Sequence, residues 1–479
     1  MRDCFDIAIV GAGPAGMAAA LEASEAGASV VVLDDKAEAG GQIYRSVRSS
    51  PLPDRSVLGE DYTRGEALVA RFEASAVETI REASVWHVST RGEVLFSREG
   101  KTHSLTAREV MVSTGAMERP FPVPGWHLPG VMTAGSAQVM LKSDGLVVED
   151  AVFVGSGPLL YLIVAQYLRL GVRVRALVDT TQPGTAFQVI PEFLGALKEW
   201  KTLRKGLGLL QEIRRSGLPL YRGARDLRVL GETAAEGLSF SCGGRLQNLM
   251  TEQVFLHQGV LPNLNLTRAL NLEHDWNSAQ LSWQPRLDRW GQSSVPNISV
   301  AGDGSGIVGA DGAVIAGRLV ALNQLGKLGY LSSLERDRKA ATLHEQMASL
   351  RRLRLFLDRL YRPSDELRMP SDPDTMVCRC EEQRLGDLRA GFEQGATDPN
   401  ALKALKRCGM GPCQGRQCGH TVSELLARWQ NKPVAGVGYY RLRSPLRLLS
   451  LQEFSNFNLV KPKSSALKDK EDRIGSAAQ

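Results

Sequence analysis

"FDIAIVGAGPAGMAAALEASEAGASVVVLDD", residues 5–35, reads as strand, tight turn, helix and second strand. Residues 5–10 are a short apolar run suited to a buried parallel strand. Gly11, Gly13 and Gly16 then fit G-x-G-x-x-G, with Pro14 and Ala15 opening the helix. The first glycine permits a sharp turn, the second lets a pyrophosphate approach the backbone, and the third lets helix pack on strand. The alanine-rich helix points its positive amino end at the phosphates. A second apolar strand, residues 30–33, ends in Asp34 and Asp35. An acid about 20 residues past the glycines can accept hydrogen bonds from an adenosine ribose. A glycine pattern alone is weak, since a Rossmann-type unit can have lost its ligand. Here strand, turn, helix, strand and acid occur in order, which predicts a dinucleotide site.

The stretch "AGGQIYR", 39–45, selects the dinucleotide. It resembles the flavin-binding proteins of the glutathione reductase structural class, in which a Gly-Gly pair after the second strand lies along FAD. The pair here is Gly40 and Gly41, and the resemblance assigns Gly41 and the following Gln42 to the cofactor. "VMVSTGA", 110–116, is similar to that class's alanine-threonine-glycine strand end and supplies Thr114 and Gly115. "ISVAGDGSG", 298–306, is similar to its late glycine-aspartate motif, with Gly302 and with Asp303 as the holder of the ribityl chain. Three matches in chain order imply FAD rather than NAD, in an α/β fold with two Rossmann units.

Residues 149–179 repeat the strand, turn, helix, strand pattern. Gly155 and Gly157 are present, but Leu160 occupies the third glycine position and should hold the helix off the strand. Asp179 could still serve a ribose, yet the expectation is a structural unit, or one holding a different nucleotide, rather than one fed by NAD(P)H. Disulfide reductases of the class carry a redox cysteine pair. Here Cys242 stands alone in the second unit, and Cys4 precedes the first strand as a packed residue, so dithiol chemistry is not expected.

Composition is that of a globular protein with two to four domains: 479 residues, 43% hydrophobic, 23% charged and net +6. No basic stretch is interleaved with aromatics, so nucleic acid is not an expected partner. No run reaches the roughly 18 apolar residues of a membrane span. The start has no secretory pattern, and the cysteine usage suits reduced thiols or metal ligands, which together point to the cytoplasm. Residues 335–362 are charged and helical, with Leu350, Leu353, Leu357 and Leu360 at helix spacing, and read as an amphipathic connecting helix. The proline-rich, polar residues 362–375 mark a domain boundary. The polar tail 461–479 is expected to be mobile, or to order only on a partner.

Five of the seven cysteines gather in "CRC" (Cys378, Cys380) and "CGMGPCQGRQC" (Cys408, Cys413, Cys418). About two short helices between them bring the groups together. A zinc site is one reading, a set of unligated thiols another, and an iron–sulfur cluster the third. Single-residue spacing in the first pair and a glycine-rich later loop favour the cluster, because glycines free backbone N–H groups to approach sulfur.

"CRCEE" followed by "CGMGPCQGRQC" resembles the BFD-like [2Fe–2S] domain, named after bacterioferritin-associated ferredoxin. The resemblance implies Cys378, Cys380, Cys413 and Cys418 as ligands. The later pair is more widely spaced than in the parent domain, which leaves Cys408 as a substitute ligand. Residues 5–450 as a whole resemble the FAD-containing subunit of octopine and nopaline oxidases, hydrogen cyanide synthase and dye-linked proline or D-hydroxyproline dehydrogenases. "GAMERPFPVPGWHLPGVMTAGSAQ" (115–138), "HQGVLPNLNLTR" (257–268) and "MGPCQGR" (410–416) carry that resemblance.

The implied order is an FAD-binding unit in two parts (1–145 and 266–335) around a second Rossmann-like unit (146–265). A helical linker (336–370), a BFD-like domain (371–430) and an extension with tail (431–479) follow. The implied function is electron relay through FAD and a [2Fe–2S] cluster in a heteromeric amine or amino-acid dehydrogenase. The implied partners are an amine-oxidase-fold flavoprotein carrying the substrate site, a further small protein of the complex, and a quinone or dye acceptor. Any membrane association would come through the complex. Two other readings compete: a stand-alone NAD(P)H-dependent flavoprotein reductase, and a redox-sensing scaffold. No catalytic acid–base pair is evident; His257 is the best single candidate, and a lone histidine is more often structural.

Overall fold

The computed structural model describes residues 3–456, so the tail 461–479 lies outside the described residues. The first apolar strand, Cys4–Val10, sits inside a seven-stranded sheet. Val30–Leu33 and then Glu78–Ile80 run parallel to it on one side, and Lys101–Val112 runs parallel on the other. Ile298–Val300 adds to the far side of Lys101–Val112, so the chain returns to this sheet after a long excursion. Cys4 departs from expectation: it is the first residue of the strand, and it is exposed.

The helix Pro14–Glu25 lies against the helix Gly309–Leu328 at backbone contact. A Cβ on Gly317 would stand 2.1 Å from the Ala15 carbonyl oxygen, so only glycine allows that approach.

The second sheet is parallel throughout, in the order Leu220–Arg222, Val174–Asp179, Ala151–Gly155, Val254–His257, Val131–Thr133. Its edge strand Val131–Thr133 and the helix Ala134–Asp144 precede residue 146, so the second unit starts earlier than the sequence suggested. Three residues carry no readable period. Their strand exists because Val131, Met132 and Thr133 find register against Val254, Phe255 and Leu256. Ala116–Glu118 and Val260–Pro262 pair antiparallel where the chain passes between units.

The helix Ser333–Leu360 starts at a capping box formed by Ser332 and Glu335. It is more than a connector. Ala340, Leu343 and Met347 pack with Trp290 and Leu319 of the first unit, while Leu353 and Phe356 meet Val189 and Ala196 of the second. Residues 362–375 are likewise not an open linker. Leu367 and Met369 are buried, and buried Arg368 pairs with Glu424 and Asp365. The acid that permits an arginine to be buried comes from a distant helix, which local polarity cannot reveal.

The C-terminal module has a short hairpin (Met376–Cys378 with Gln383–Arg384) and helices Leu385–Glu393, Pro399–Lys406 and Gly419–Gln430. The chain then crosses back to the first sheet. Leu446 N–H donates to the Trp86 carbonyl at 3.2 Å, and the Thr102 hydroxyl donates to the Glu453 carbonyl at 2.7 Å. Among the described residues no helix is long and apolar enough to cross a membrane.

Candidate functional site

A cavity of about 1830 Å³ opens at the carboxyl ends of the first sheet's strands. That exceeds the roughly 300–1,000 Å³ of an ordinary small-ligand pocket and suits an extended ligand. Gly11, Gly13, Pro14 and Ala15 border it at one strand end, and Asp34, Asp35, Gly41 and Gln42 at the next. Thr114, Gly115, Gly302 and Asp303 form the wall where the chain returns. Of the positions assigned from sequence to the dinucleotide, Gly16 alone does not face the cavity.

The glycines separate by role. A Cβ on Gly16 would stand 1.9 Å from the Gly11 carbonyl oxygen, so this residue serves helix-on-strand packing. Gly11 has φ +110, and a Cβ there would meet the Ser113 carbonyl oxygen at 2.5 Å. At Gly13 the nearest atom to a Cβ is the Gly41 Cα at 3.8 Å, so the fold itself leaves that space open. A cradle that a side chain would fill, at the amino end of a helix, fits a pyrophosphate.

Asp34 is tied to the glycine loop: its carboxylate accepts from Ala12 N–H at 2.6 Å and Lys36 N–H at 2.9 Å. Burial raises its pKa against those bonds. Asp303 accepts from Val308 and Gly309 N–H through Oδ1, at 2.8 and 2.9 Å. The Ser113 hydroxyl, which sequence reasoning passed over, lies 2.9 Å from both the Val10 and Gly11 carbonyls and braces the turn.

Two further side chains went unread. Glu118 borders the cavity, accepts from Gly135 N–H at 2.9 Å, and lies 2.7 Å from Nδ1 of buried His257. His257 is not among the cavity-lining residues, so it orients Glu118. Lys142 is 2% exposed yet borders the cavity, and its ammonium donates to the Gln42 and Ile43 carbonyls and to Gln138 Oε1 at 3.0–3.3 Å. Burial, then the charge of Arg45, pushes its pKa down to about 7.

Because the folded pKa of Lys142 lies below the ordinary value of 10.5, unfolding takes up a proton between those limits, and this group's contribution to stability rises with pH across them. Comparing urea midpoints at pH 6.5 and 9 should show that rise in the parent chain and its loss in Lys142→Met. An unchanged slope in the variant would contradict the assignment.

The second unit is closed at the equivalent place. Asp179 is buried, accepting from the Tyr161 hydroxyl at 2.9 Å and from Thr181 N–H at 2.8 Å. The Tyr161 ring packs edge-on against Tyr361 at 5.8 Å. Leu160 is fully buried in the core. The acid that would receive a ribose is thus occupied by the protein itself.

The cysteines form two groups. The sulfurs of Cys378, Cys408 and Cys418 all lie within 4.8 Å of one another, and all three residues are buried. Cys380 lies against Cys413, and both are partly buried. The members of the C-x-C pair therefore face different later cysteines, and Cys408 belongs to the buried trio. Cys378 is held far below the usual thiol range, to about 2, by hydrogen bonds from Cys408 and Cys418 and by the N–H groups of Gly409 and Glu381. Tyr440 covers the trio, its hydroxyl 3.4 Å from the Cys408 sulfur and 3.7 Å from the Cys418 sulfur. Gly409 and Gly415 make room for that ring: a Cβ on either would stand 2.7 or 2.6 Å from it. An all-sulfur donor set with backbone N–H groups aimed at it fits an iron–sulfur cluster or zinc. Cys413 also borders the dinucleotide cavity.

Fold and cavity together define a two-unit dinucleotide-binding oxidoreductase. The chain belongs to the pyridine nucleotide-disulphide oxidoreductase family, whose model matches residues 5–317, and within it groups with full-length relatives from opine oxidases and hydrogen cyanide synthases. It is 41% identical to one of the subunits of opine oxidase from Agrobacterium tumefaciens over 95% of this chain and 92% of that one. It is 31% identical to the HcnB subunit of hydrogen cyanide synthase from Pseudomonas aeruginosa over 94% and 98%. The fold is similar to that of L-proline dehydrogenase from P. horikoshii, with TM-score 0.67 and 20% identity over 94% of this chain and 78% of that one. The chain is an oxidoreductase, and family membership supports FAD as its dinucleotide.

Proposed function

We propose that this chain is the FAD- and [2Fe–2S]-containing electron-transfer subunit of a heteromeric amine or amino-acid dehydrogenase. One observation carries the reading: Cys413 and the dinucleotide-binding residues Gly115 and Asp303 border one cavity. FAD supplies two-electron chemistry, and a [2Fe–2S] cluster passes electrons singly. The residues that would hold FAD are Gly11, Gly13, Pro14 and Ala15 at the pyrophosphate, Asp34 and Asp35 at the ribose, and Gly41, Gln42, Thr114, Gly115, Gly302 and Asp303 along the rest. Gly16 supports the turn from behind. Cys378, Cys380, Cys413 and Cys418 would hold the cluster, with Cys408 beside it as hydrogen-bonding thiol or substitute. The substrate is an amine bearing hydrogen on the carbon next to nitrogen, as the names of the relatives suggest. Its pocket lies in a partner subunit, and electrons leave to a quinone or dye.

The competing reading, a stand-alone NAD(P)H-dependent reductase, is disfavoured by Tyr161 on Asp179. Anaerobic addition of NADH should leave the flavin absorbance of the purified chain unchanged. An amine substrate should bleach it only when the partner subunit is co-purified. Prompt bleaching by NADH would favour the reductase.

A further inference from the structure

The stretch "HQGVLPNLNLTR", 257–268, reaches both ends of the site. Asn263 N–H donates to the Gly115 carbonyl at 2.9 Å. Two residues on, Asn265 Nδ2 donates to the carbonyl of Gln414, the neighbour of Cys413, at 3.3 Å. Asn263, Asn265, Gly115 and Cys413 all border the one cavity. One short turn thus touches the strand end that lines the dinucleotide site and the loop that carries the cysteines.

Behind this turn the packing is firm. Thr267 is fully buried, its hydroxyl 3.0 Å from both the Leu264 carbonyl and His274 Nε2. The Arg268 guanidinium lies between the rings of Trp283 and Tyr439, at 4.8 and 5.1 Å. The cysteine loop is tied mostly to itself and its own module: the Gln414 amide folds back on the Met410 and Gly411 carbonyls, and Arg416 Nε donates to the Cys413 carbonyl. Among the described residues, no hydrogen bond other than that from Asn265 joins residues 408–418 to the two-unit dinucleotide-binding body.

Resting on the reading of the site as FAD plus cluster, we propose that Asn265 is a positioning residue that fastens the Cys413 loop against the cavity wall and so sets how fast electrons pass from flavin to cluster. A reduced FAD held in the cavity would give up its two electrons one at a time to a cluster held by the cysteines, and that cluster would be reoxidised by an acceptor of the quinone or dye class. The amide nitrogen matters because Gln414 presents a carbonyl: an aspartate at 265 would set oxygen against oxygen.

The test uses the full chain with Asn265→Ala, Asn265→Asp and Asn265→Gln. Flavin and iron are counted, the flavin is photoreduced by an anaerobic laser flash, and the decay into the iron–sulfur band is followed. Hydrogen exchange of residues 408–418 is measured alongside. Asn265→Ala and Asn265→Asp should keep both cofactors, exchange faster in 408–418, and transfer roughly tenfold or more slowly, since small misplacements cost rate steeply. Asn265→Gln should recover part of the rate. Wild-type transfer in Asn265→Ala, or joint loss of flavin and iron, would overturn the positioning role. A parent chain that binds flavin but no iron sinks the underlying reading, and is distinguished by the metal count before any variant is made.

Discussion

A chain carrying Cys378→Ala is expected to bind flavin normally and to lose its iron. Cys378 stands at the centre of the sulfur arrangement, accepting hydrogen bonds from Cys408, Cys418 and two backbone N–H groups. Its strand, Met376–Cys378, is anchored independently: the Met376 carbonyl accepts from Trp126 Nε1 at 2.7 Å, and Val377 is buried. The fold around the missing sulfur should therefore persist. Cys408 is the substitute nearest to hand, but its sulfur already accepts from the Tyr440 hydroxyl at 3.4 Å, so it is not expected to move into the vacated position. Cys408→Ala should behave differently, keeping about two irons per chain if Cys408 is the spare thiol. Iron analysis with visible spectra checks both. Equal iron loss in the two variants would make Cys408 a ligand, and full iron retention in Cys378→Ala would remove Cys378 from the ligand set.

The second large effect separates two glycines of one motif. Gly16→Val should fail to fold, because its Cβ would fall inside the Gly11 carbonyl oxygen, between two backbones that cannot yield. That collision exceeds the roughly 1–3 kcal/mol of ordinary core overpacking. Gly13→Val should fold, since only ordinary contact with Gly41 awaits its Cβ, yet it should lose flavin because the side chain projects into the cradle. Circular dichroism and flavin absorbance together read the contrast. A well-folded Gly16→Val, or a flavin-replete Gly13→Val, would contradict the division of roles.

What could be read from sequence shares a physical character. The glycine turn, the apolar strands, the late Gly302–Asp303 turn and the clustered cysteines are local patterns, each set by backbone geometry or by ligand chemistry at short spacing. The features missed depend on contacts across the chain. Val131–Thr133 is a strand only by register with Val254–Leu256, and Arg368 is buried only because Glu424 meets it. Glu118 and His257 become a pair only when the two units meet. Lys142 reads as a surface residue until its ammonium is seen capping the Gln42 and Ile43 carbonyls. The arrangement of the cysteines is of the same kind: spacing pairs Cys378 with Cys380, whereas the hairpin sends each toward a different later cysteine.

The most direct test of the relay is an anaerobic visible spectrum of the purified chain with iron and zinc analysis. Flavin bands on a broad iron–sulfur shoulder are expected, with about two irons per chain and no zinc. Stoichiometric zinc in place of iron, or a flavin spectrum without the shoulder, would contradict the relay.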